Sequence, residues 1–303
     1  MAIHLRSLQN FTKEDILGLI DRAIELKKES KAGKMHHLLR GKTVGLIFEK
    51  PSTRTRVSFE AAVYGLGGRV IFLSSRDTQL SRSEPLRDMS RVMSRYVDCM
   101  VVRTFGQEVV EELADYATVP VINALTDLHH PCQVLSDMMT VFEKKGDIEK
   151  LRIAWVGDGN NMANSWIQAA GIVGFALVLA CPHGYEPNGD ILTSNRNSAG
   201  KSITLVQDPM AAVQGADVLN VDVWASMGKE SEEEERLRAF SPYQLNDQLV
   251  AQSCSDSIIL HCLPAHRGEE ITENVLESDR CVAFDQAENK MHMHKAILER
   301  FIG

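Results

Sequence analysis

The sequence predicts an α/β protein with two doubly wound parallel-sheet domains joined by helices. Its 303 residues exceed what one small core requires and suit two domains of ordinary size. Short apolar runs alternate with longer segments of helical spacing, which is the element order of parallel α/β folds. Two such series of runs follow one another along the chain, so we expect two sheets.

The individual strands and helices follow from this alternation. The first series of predicted strands comprises residues 43–48, 69–73, 98–102 and 119–122. The second series comprises residues 151–156, 176–181, 202–206, 217–221, 258–261 and 281–284. Helical spacing predicts long helices over residues 13–30, 133–145 and 289–301.

The helix predicted between the two series sets the domain boundaries, because it contains no helix-breaking residue before Gly146. We therefore predict a first domain over residues 1–132, a linking helix over 133–145 and a second domain over 146–285. The last segment, 286–303, is predicted to form a helix that returns to the first domain.

Composition excludes several classes of protein. A formal net charge of −8 argues against a nucleic-acid partner, because phosphate backbones are bound by clustered Lys and Arg. The six cysteines form no Cys-x-x-Cys pair, and residues 1–10 lack the residue order of a signal peptide. The longest apolar run, 172–181, is too short to span a bilayer. We therefore expect a cytoplasmic protein with no membrane association.

The segment 52–56, which reads Ser-Thr-Arg-Thr-Arg, follows a predicted strand and opens a predicted amphipathic helix. A helix start offers unpaired backbone N–H groups and a partial positive charge, to which this segment adds hydroxyl and guanidinium donors. Phosphate is the ligand that such donors fit. The alternative interpretation is an N-cap serine followed by surface arginines paired with acids.

Polar residues also follow the other strands of the first series, where ligands bind in open parallel sheets. Arg103 follows strand 98–102, and His130 and Gln133 flank Pro131 at the start of the linking helix. Arg103 is equally compatible with a salt bridge that ends a strand, and a lone histidine is more often structural than catalytic. Their convergence on one sheet edge favours an anion site.

The second series carries a different set of polar residues at its strand ends. Asn161 follows the first of these strands, Asp222 the fourth and Cys262 the fifth. Asp222 suits an ammonium group, while Asn161 and backbone N–H groups near Met227 suit a carboxylate, so together they fit an amino acid. The alternatives are a turn residue for Asp222, a helix cap for Asn161 and a small buried apolar residue for Cys262.

Two other kinds of site fit the sequence less well. A dinucleotide fingerprint beginning at Gly157 would need a third glycine where Met162 stands, and strand 176–181 is not followed by an acid for a ribose. The candidate zinc ligands lack zinc-finger spacing; they are His129, His130, Cys132, His261 and Cys262. A non-catalytic binding module for phosphate or an amino acid is the remaining alternative to an enzyme.

Four motifs together resemble the ornithine branch of the aspartate/ornithine carbamoyltransferase family, and the match spans nearly the whole chain. They are Ser-Thr-Arg-Thr-Arg at 52–56, His-Pro-Cys-Gln at 130–133, Asp-x-x-x-Ser-Met-Gly at 222–228 and His-Cys-Leu-Pro at 261–264. The first two motifs imply binding of carbamoyl phosphate, and the last two imply ornithine as the acceptor. The resemblance also implies a role in arginine biosynthesis, a homotrimer or multiple of trimers, and no cofactor or metal.

The resemblance implies a role for individual residues. The implied contacts of carbamoyl phosphate are Ser52, Thr53, Arg54, Thr55, Gln79, Arg103, His130, Gln133, Cys262, Leu263 and Lys290. The implied contacts of ornithine are Asn161, Asp222, Ser226 and Met227, and the implied catalytic residues are Arg103, His130, Cys262 and Asp222. Gln79 is implied to reach the site of a neighbouring subunit. Lys290 departs from the family pattern, which has arginine there, and so keeps the charge without the planar fork.

Overall fold

The computed structural model describes residues 3–74, 84–196, 203–225 and 233–303. Contacts divide the chain into two units, Met1–Met139 with Glu288–Gly303, and Thr140–Ala287. The division falls inside two long helices, α5 (Pro131–Lys145) and α12 (Ala283–Ile302), so each of them belongs partly to both units. The narrower domain boundaries expected from the sequence stay a prediction.

The strands of the first unit form a parallel sheet. The helices and strands in chain order are α1 (Lys13–Lys31), β1 (Thr43–Phe48), α2 (Thr53–Gly65), β2 (Arg69–Ser74), α3 (Leu86–Met93), β3 (Cys99–Arg103), α4 (Gln107–Tyr116) and β4 (Val121–Leu125). The strand order is β2-β1-β3-β4, with Phe48 opposite Arg103 in the register. The direction of winding therefore reverses between β1 and β3, which is where open α/β sheets bind ligands.

The second unit has the same plan. Its strands are β5 (Arg152–Val156), β6 (Ala176–Ala180), β7 (Ile203–Val206), β8 (Val218–Val221) and β9 (Ile258–His261). Its helices are α6 (Asn161–Val173), α7 (Gly189–Arg196), α8 (Pro209–Val213), α9 (Glu233–Phe240), α10 (Asp247–Val250) and α11 (Glu273–Leu276). The strands are parallel in the order β7-β6-β5-β8-β9, so the winding reverses between β5 and β8.

Local sequence explains the elements that position the site. The strands β1 and β3 are almost wholly buried, as expected of parallel strands covered by helices on both faces. Asn160 caps the start of α6 by accepting hydrogen bonds from two backbone N–H groups, and Gly174 ends the helix with a φ of 91°. These caps fix the backbone that leaves β5.

The predicted fold class is confirmed, and most predicted elements end within two or three residues of the observed ones. The strand predicted at 281–284 is wrong: Cys281 makes only an isolated bridge to Ile259, and α12 begins at Ala283. A short apolar run does not by itself distinguish a strand from a helix start. Val57, an apolar residue of α2, is 54% exposed and so lies outside the buried face of that amphipathic helix. Within the described ranges, no helix combines the length and apolarity that crossing a membrane requires.

Candidate active site

The segment that follows β1 forms the N-terminal turn of α2. Ser52 is the N-cap, and its hydroxyl oxygen accepts a hydrogen bond from the backbone N–H of Thr55 at 3.2 Å. The side chain of Thr55 is buried, whereas Thr53 and Arg54 are exposed. The helix start thus presents an exposed guanidinium beside backbone N–H groups, which is the arrangement predicted for an oxyanion.

Arg56 does not belong to this donor set. Its Nε donates to Glu60 Oε1 at 2.9 Å, and its guanidinium lies 3.7 Å from the centre of the Phe72 ring. For Arg56 the alternative interpretation, a surface arginine paired with an acid, is therefore correct. Successive helical residues point in different directions, so Arg54 and Arg56 cannot share one face.

Lys290 joins α12 to the N-terminal turn of α2 and to α5 within the first unit. Its Nζ donates to Gln133 Oε1 at 2.8 Å and to Thr55 Oγ1 at 3.3 Å, and only 6% of the residue is exposed. Gln133 in turn donates from Nε2 to Asp137 Oδ1 at 2.7 Å. The residue that departs from the family pattern thus touches two residues predicted to bind carbamoyl phosphate.

Arg103 and His130 are both buried, at the end of β3 and just before α5. Burial, with the positive charges of Lys290 and Arg103 nearby, holds the pKa of His130 well below its usual value. The imidazole is therefore neutral at physiological pH and can donate one hydrogen bond without adding a charge. Arg103 supplies the permanent charge of the pair.

Two further residues of the first unit were missed from the sequence. Lys50, two residues after the end of β1, is buried, pairs with Asp127 and lies 4.4 Å from the centre of the Phe105 ring. His294 stacks on Phe59 of α2, with ring centres 3.6 Å apart. The strand-end position of Lys50 was an available signal, whereas the stacking of His294 had none in the sequence.

Asp222 is the centre of the polar site in the second unit. This carboxylate is 8% exposed and follows β8 directly. Its Oδ1 accepts hydrogen bonds from the backbone N–H of Val223 at 2.9 Å and from Cys262 Sγ at 3.0 Å. Its Oδ2 accepts one from Asn160 Nδ2 at 2.9 Å. All of these donors are neutral, so the carboxylate retains its negative charge for a cationic ligand.

The structure brings Cys262 to Asp222 but separates the roles of Asn160 and Asn161. Asn160 caps α6 and bonds Asp222, whereas Asn161 is the first helical residue and is partly buried. Two adjacent asparagines fit a cap equally well in the sequence, so the pattern did not identify which one serves. Asp222 and Cys262 form a hydrogen bond with each other, and the substrate contacts implied for them stay predictions.

Leu263 adopts an unusual backbone conformation beside this site. Its φ of 57° lies in the left-handed region, and it is the only non-glycine residue with positive φ in the four described ranges. That conformation costs a leucine about 1–2 kcal/mol. The backbone N–H of Leu263 donates to His261 Nδ1 at 2.9 Å, which helps to hold it there.

Gly159, which follows β5, serves packing rather than a dinucleotide. A Cβ on Gly159 would lie 2.2 Å from the backbone nitrogen of Pro187, so the chain itself occupies the space above this turn. Asp158 pairs with Arg236, a residue that is 1% exposed and whose Nε also donates to the backbone oxygen of Trp224 at 2.5 Å.

Three residues predicted to bind substrate lie outside the described residues: Gln79, Ser226 and Met227. Among the described residues, one group of metal-ligand type has its donor atoms within 4.8 Å of one another, namely His266, Glu269 and Glu270. None of the five zinc candidates taken from the sequence belongs to that group.

Comparisons with known proteins identify the family of the chain. Residues 3–143 match the family model described as aspartate/ornithine carbamoyltransferase, carbamoyl-P binding domain. Residues 149–301 match the model described as aspartate/ornithine carbamoyltransferase, Asp/Orn binding domain. The first matched segment contains the N-terminal turn of α2, and the second contains Asp222.

Individual relatives cover the full chain. An ornithine carbamoyltransferase of Desulfotalea psychrophila is 70% identical over 303 residues, with all of both chains covered. One of Geobacter sulfurreducens is 55% identical, with 98% of each chain covered. The solved structure of ornithine carbamoyltransferase from Pyrococcus furiosus has a TM-score of 0.96 at 48% identity, covering 99% of this chain and 97% of that one. This chain therefore belongs to the aspartate/ornithine carbamoyltransferase family.

Proposed function

We propose that this protein transfers the carbamoyl group of carbamoyl phosphate to the δ-amine of L-ornithine, giving L-citrulline and phosphate. One observation carries the assignment: the likeness over the whole chain to an ornithine carbamoyltransferase at 70% identity. The charges of the two sites support it independently, because one gathers cationic donors and the other presents a carboxylate. Arginine biosynthesis is the metabolic role that we expect.

The first unit binds carbamoyl phosphate in this proposal. Ser52, Thr53 and Arg54 hold the phosphate at the start of α2, where backbone N–H groups and the helix dipole favour an anion. Lys290 adds a positive charge through its contacts with Thr55 and Gln133. Gln79 is proposed as a further phosphate contact from outside the described residues.

The carbamoyl end is bound by Thr55, Arg103, His130 and Gln133. As the new bond forms, the carbonyl oxygen gains negative charge, and fixed donors stabilise that charge without reorganising. His130 is neutral because burial lowers its pKa, so it contributes a hydrogen bond while Arg103 contributes charge. The catalytic contribution of these residues is electrostatic and positional.

The second unit binds ornithine. Asp222 pairs with an ammonium group of the amino acid, since its three donors within the described chain are all neutral. Asn161 is placed at the carboxyl end of β5 and is proposed, with Ser226 and Met227, as a further contact. Cys262 and Leu263 at the end of β9 are proposed to contact the reacting groups.

The reaction proceeds by attack of the neutral δ-amine on the carbamoyl carbon. The nitrogen lone pair forms the new C–N bond, the carbonyl electrons move to oxygen, and collapse of the tetrahedral intermediate breaks the C–O bond to phosphate. Free δ-amine has a pKa of about 10.4, so the site must bind it deprotonated. Cys262 is a hydrogen-bond donor to Asp222. We propose that the departing phosphate accepts the proton of the amine.

The proposal extends to assembly and location. We propose a homotrimer in the cytoplasm, in line with the family. Val57 and Tyr64, seven residues apart on α2, are more than half exposed and lie on one face of the helix. An apolar face of this kind suits burial against another subunit. Light scattering of the purified protein measures the mass directly.

Citrulline formation by the purified protein tests the proposed reaction. The acceptors to compare, each with carbamoyl phosphate, are L-ornithine, aspartate, N-acetylornithine and putrescine. Turnover selective for ornithine supports both halves of the proposal. Turnover with another acceptor would retain the role of the first unit and overturn that of the second. Absence of turnover with all four would favour a non-catalytic binding module.

A further inference from the structure

The segment 261–270, which follows β9, contains a buried pair that the proposed reaction does not use. His261 Nε2 lies 3.0 Å from Glu270 Oε1, and the side chains of both residues are completely buried. A buried carboxylate is costly unless hydrogen bonds satisfy it, so its presence calls for a physical reason. The two side chains form hydrogen bonds with backbone N–H groups of the same segment.

The hydrogen bonds around His261 fix its tautomer. The backbone N–H of Leu263 donates to Nδ1 at 2.9 Å, so Nδ1 carries no proton. The proton of the neutral ring is therefore on Nε2, which donates to Glu270 Oε1. A carboxylate accepting from Nε2–H also makes Nδ1 a better acceptor for Leu263, because hydrogen bonds in a chain polarise one another.

Glu270 also forms a hydrogen bond with the backbone of its own segment. The same oxygen, Oε1, accepts a hydrogen bond from the backbone N–H of His266 at 2.6 Å. Its second oxygen, Oε2, is buried and has no hydrogen-bond partner in the part of the chain that the structure describes. The carboxylate is thus committed to two groups of its own segment.

The backbone that this pair holds carries the substrate-side residues. Leu263 has a φ of 57°, a conformation that a leucine rarely adopts without tertiary support. Directly before it, Cys262 donates from Sγ to Asp222 Oδ1 at 3.0 Å. A change in the Leu263 backbone would therefore move the thiol away from the carboxylate.

We propose that His261 and Glu270 are positioning residues, which hold the Leu263 backbone N–H and thereby keep Cys262 against Asp222. The proposal deepens the proposed function, on which its kinetic part rests. Neither side chain touches substrate. The pair acts by fixing the backbone from which Cys262 and Leu263 reach their ligands.

Two substitutions at His261 separate its two hydrogen bonds. In His261→Asn, Oδ1 stands where Nδ1 stood and still accepts from Leu263, while the bond to Glu270 is lost. In His261→Gln, Nε2 stands where the ring Nε2 stood and still donates to Glu270, while the acceptor for Leu263 is lost. His266→Gln is the matched control, because its exposed side chain pairs with Glu269 and leaves the backbone bond to Glu270 intact.

The first readout is the rate at which iodoacetamide alkylates Cys262, measured by mass spectrometry of the peptide that contains it. The second is kcat/KM for ornithine. Loss of one hydrogen bond to a buried group should lower kcat/KM about tenfold in His261→Gln and increase the alkylation rate at least about threefold. His261→Asn should stay within about threefold of wild type in both readouts, whatever its loss of stability.

Equal behaviour of the Asn and Gln variants in both readouts would overturn the proposal, since a purely structural role predicts effects that follow stability alone.

If either His261 variant fails to fold, the variants Glu270→Gln and Glu270→Ala test the proposal instead. The amide oxygen of the Gln variant can still accept both N–H groups, so the ring proton of His261 stays on Nε2. In Glu270→Ala no carboxylate holds that proton on Nε2, so the ring can carry it on Nδ1 and lose the hydrogen bond from Leu263, a loss that the amide oxygen of His261→Asn cannot suffer. Of the two Glu270 variants, only Ala should therefore expose Cys262. Alkylation rates unaffected by Glu270→Ala would also overturn the proposal. A wild-type protein without turnover would contradict the proposed function, while the alkylation rates would still test the positioning role.

Discussion

The site of the first unit and that of the second are built with opposite electrostatics at equivalent places in their sheets. Each lies where the direction of winding reverses, between β1 and β3 or between β5 and β8. The first carries Arg54 in the N-terminal turn of α2, Arg103 at the end of β3 and Lys290 against Thr55. The second presents the carboxylate of Asp222.

The two sites also differ in how their residues are assembled. Thr55, Gln133 and Lys290 meet although they come from α2, α5 and α12, far apart in the sequence. In the second site, Asp222 bonds Asn160 and Cys262, which follow the strands on either side of β8. The same sheet topology therefore forms an anion site or a cation site, depending on which side chains follow the strands.

The largest expected effect is that of Asp222→Asn. The change removes the charge that binds the ammonium group, and an interaction of about 3 kcal/mol corresponds to a loss of about a hundredfold in kcat/KM for ornithine. Steady-state kinetics measure the loss, and calorimetry should show that carbamoyl phosphate still binds as in wild type.

Asp208→Asn is the matched control for Asp222→Asn. Asp208 caps α8 in the same unit, and asparagine caps a helix equally well. Its kcat/KM for ornithine should equal that of wild type. A loss below about threefold in Asp222→Asn would contradict the assigned role, since charge-assisted hydrogen bonds are worth more.

Arg54→Ala should weaken carbamoyl phosphate binding by about ten- to a hundredfold, because it removes a charge-assisted contact of about 1.5–3 kcal/mol. Isothermal titration calorimetry measures the affinity. Arg56→Ala, two residues further along the same helix, is the control and should bind normally, because Arg56 is engaged by Glu60 and Phe72. Equal losses in both variants would mean that the effect is one of general charge.

Substitutions of Lys290 test the position at which the resemblance implies an arginine. Lys290→Met should weaken carbamoyl phosphate binding about tenfold, because it removes the charge beside Thr55 and Gln133. Lys290→Arg should tighten binding, since a planar fork offers paired hydrogen bonds. The same titration measures both. An arginine variant that binds no better than wild type would show that lysine already satisfies the site.

The smallest expected effect concerns pH. Burial lowers the pKa of His129 to about 4, against about 6.5 in an unfolded chain. Between these values the unfolded chain binds more protons, so the free energy of unfolding falls as pH falls from 6.5 toward 4 and is unaffected above that window. His129 should contribute a slope of at most about 1.4 kcal/mol per pH unit.

Denaturant unfolding of wild type and His129→Gln at several pH values between 4 and 7 measures this slope. The variant should lose stability less steeply than wild type as the pH falls. His183→Gln, at an exposed histidine of the second unit, is the control and should keep the wild-type slope. A His129→Gln slope as steep as that of wild type would contradict a neutral buried imidazole.

Sequence patterns predicted the fold well because parallel strands covered on both faces read as apolar runs. They predicted less well where an apolar run was short, as at 281–284, where α12 begins instead. The donor set of the first site was predicted through residues adjacent to strand ends, such as Ser52 and Arg103. The exclusion of Arg56 rests on Glu60, one turn further along α2, and on Phe72 of β2, a contact that no local pattern contains.

The order of elements, the two sheets and the types of side chain at their carboxyl ends can be predicted from the amino-acid pattern, because periodicity and chain order are properties of neighbouring residues. Which of these side chains meet depends on how the elements pack. This packing brought Lys290 to Thr55, chose Asn160 over Asn161 as the partner of Asp222, and placed Glu270 against His261. Hydrogen bonds require their atoms within about 3 Å, and packing alone sets such distances between residues far apart in the chain.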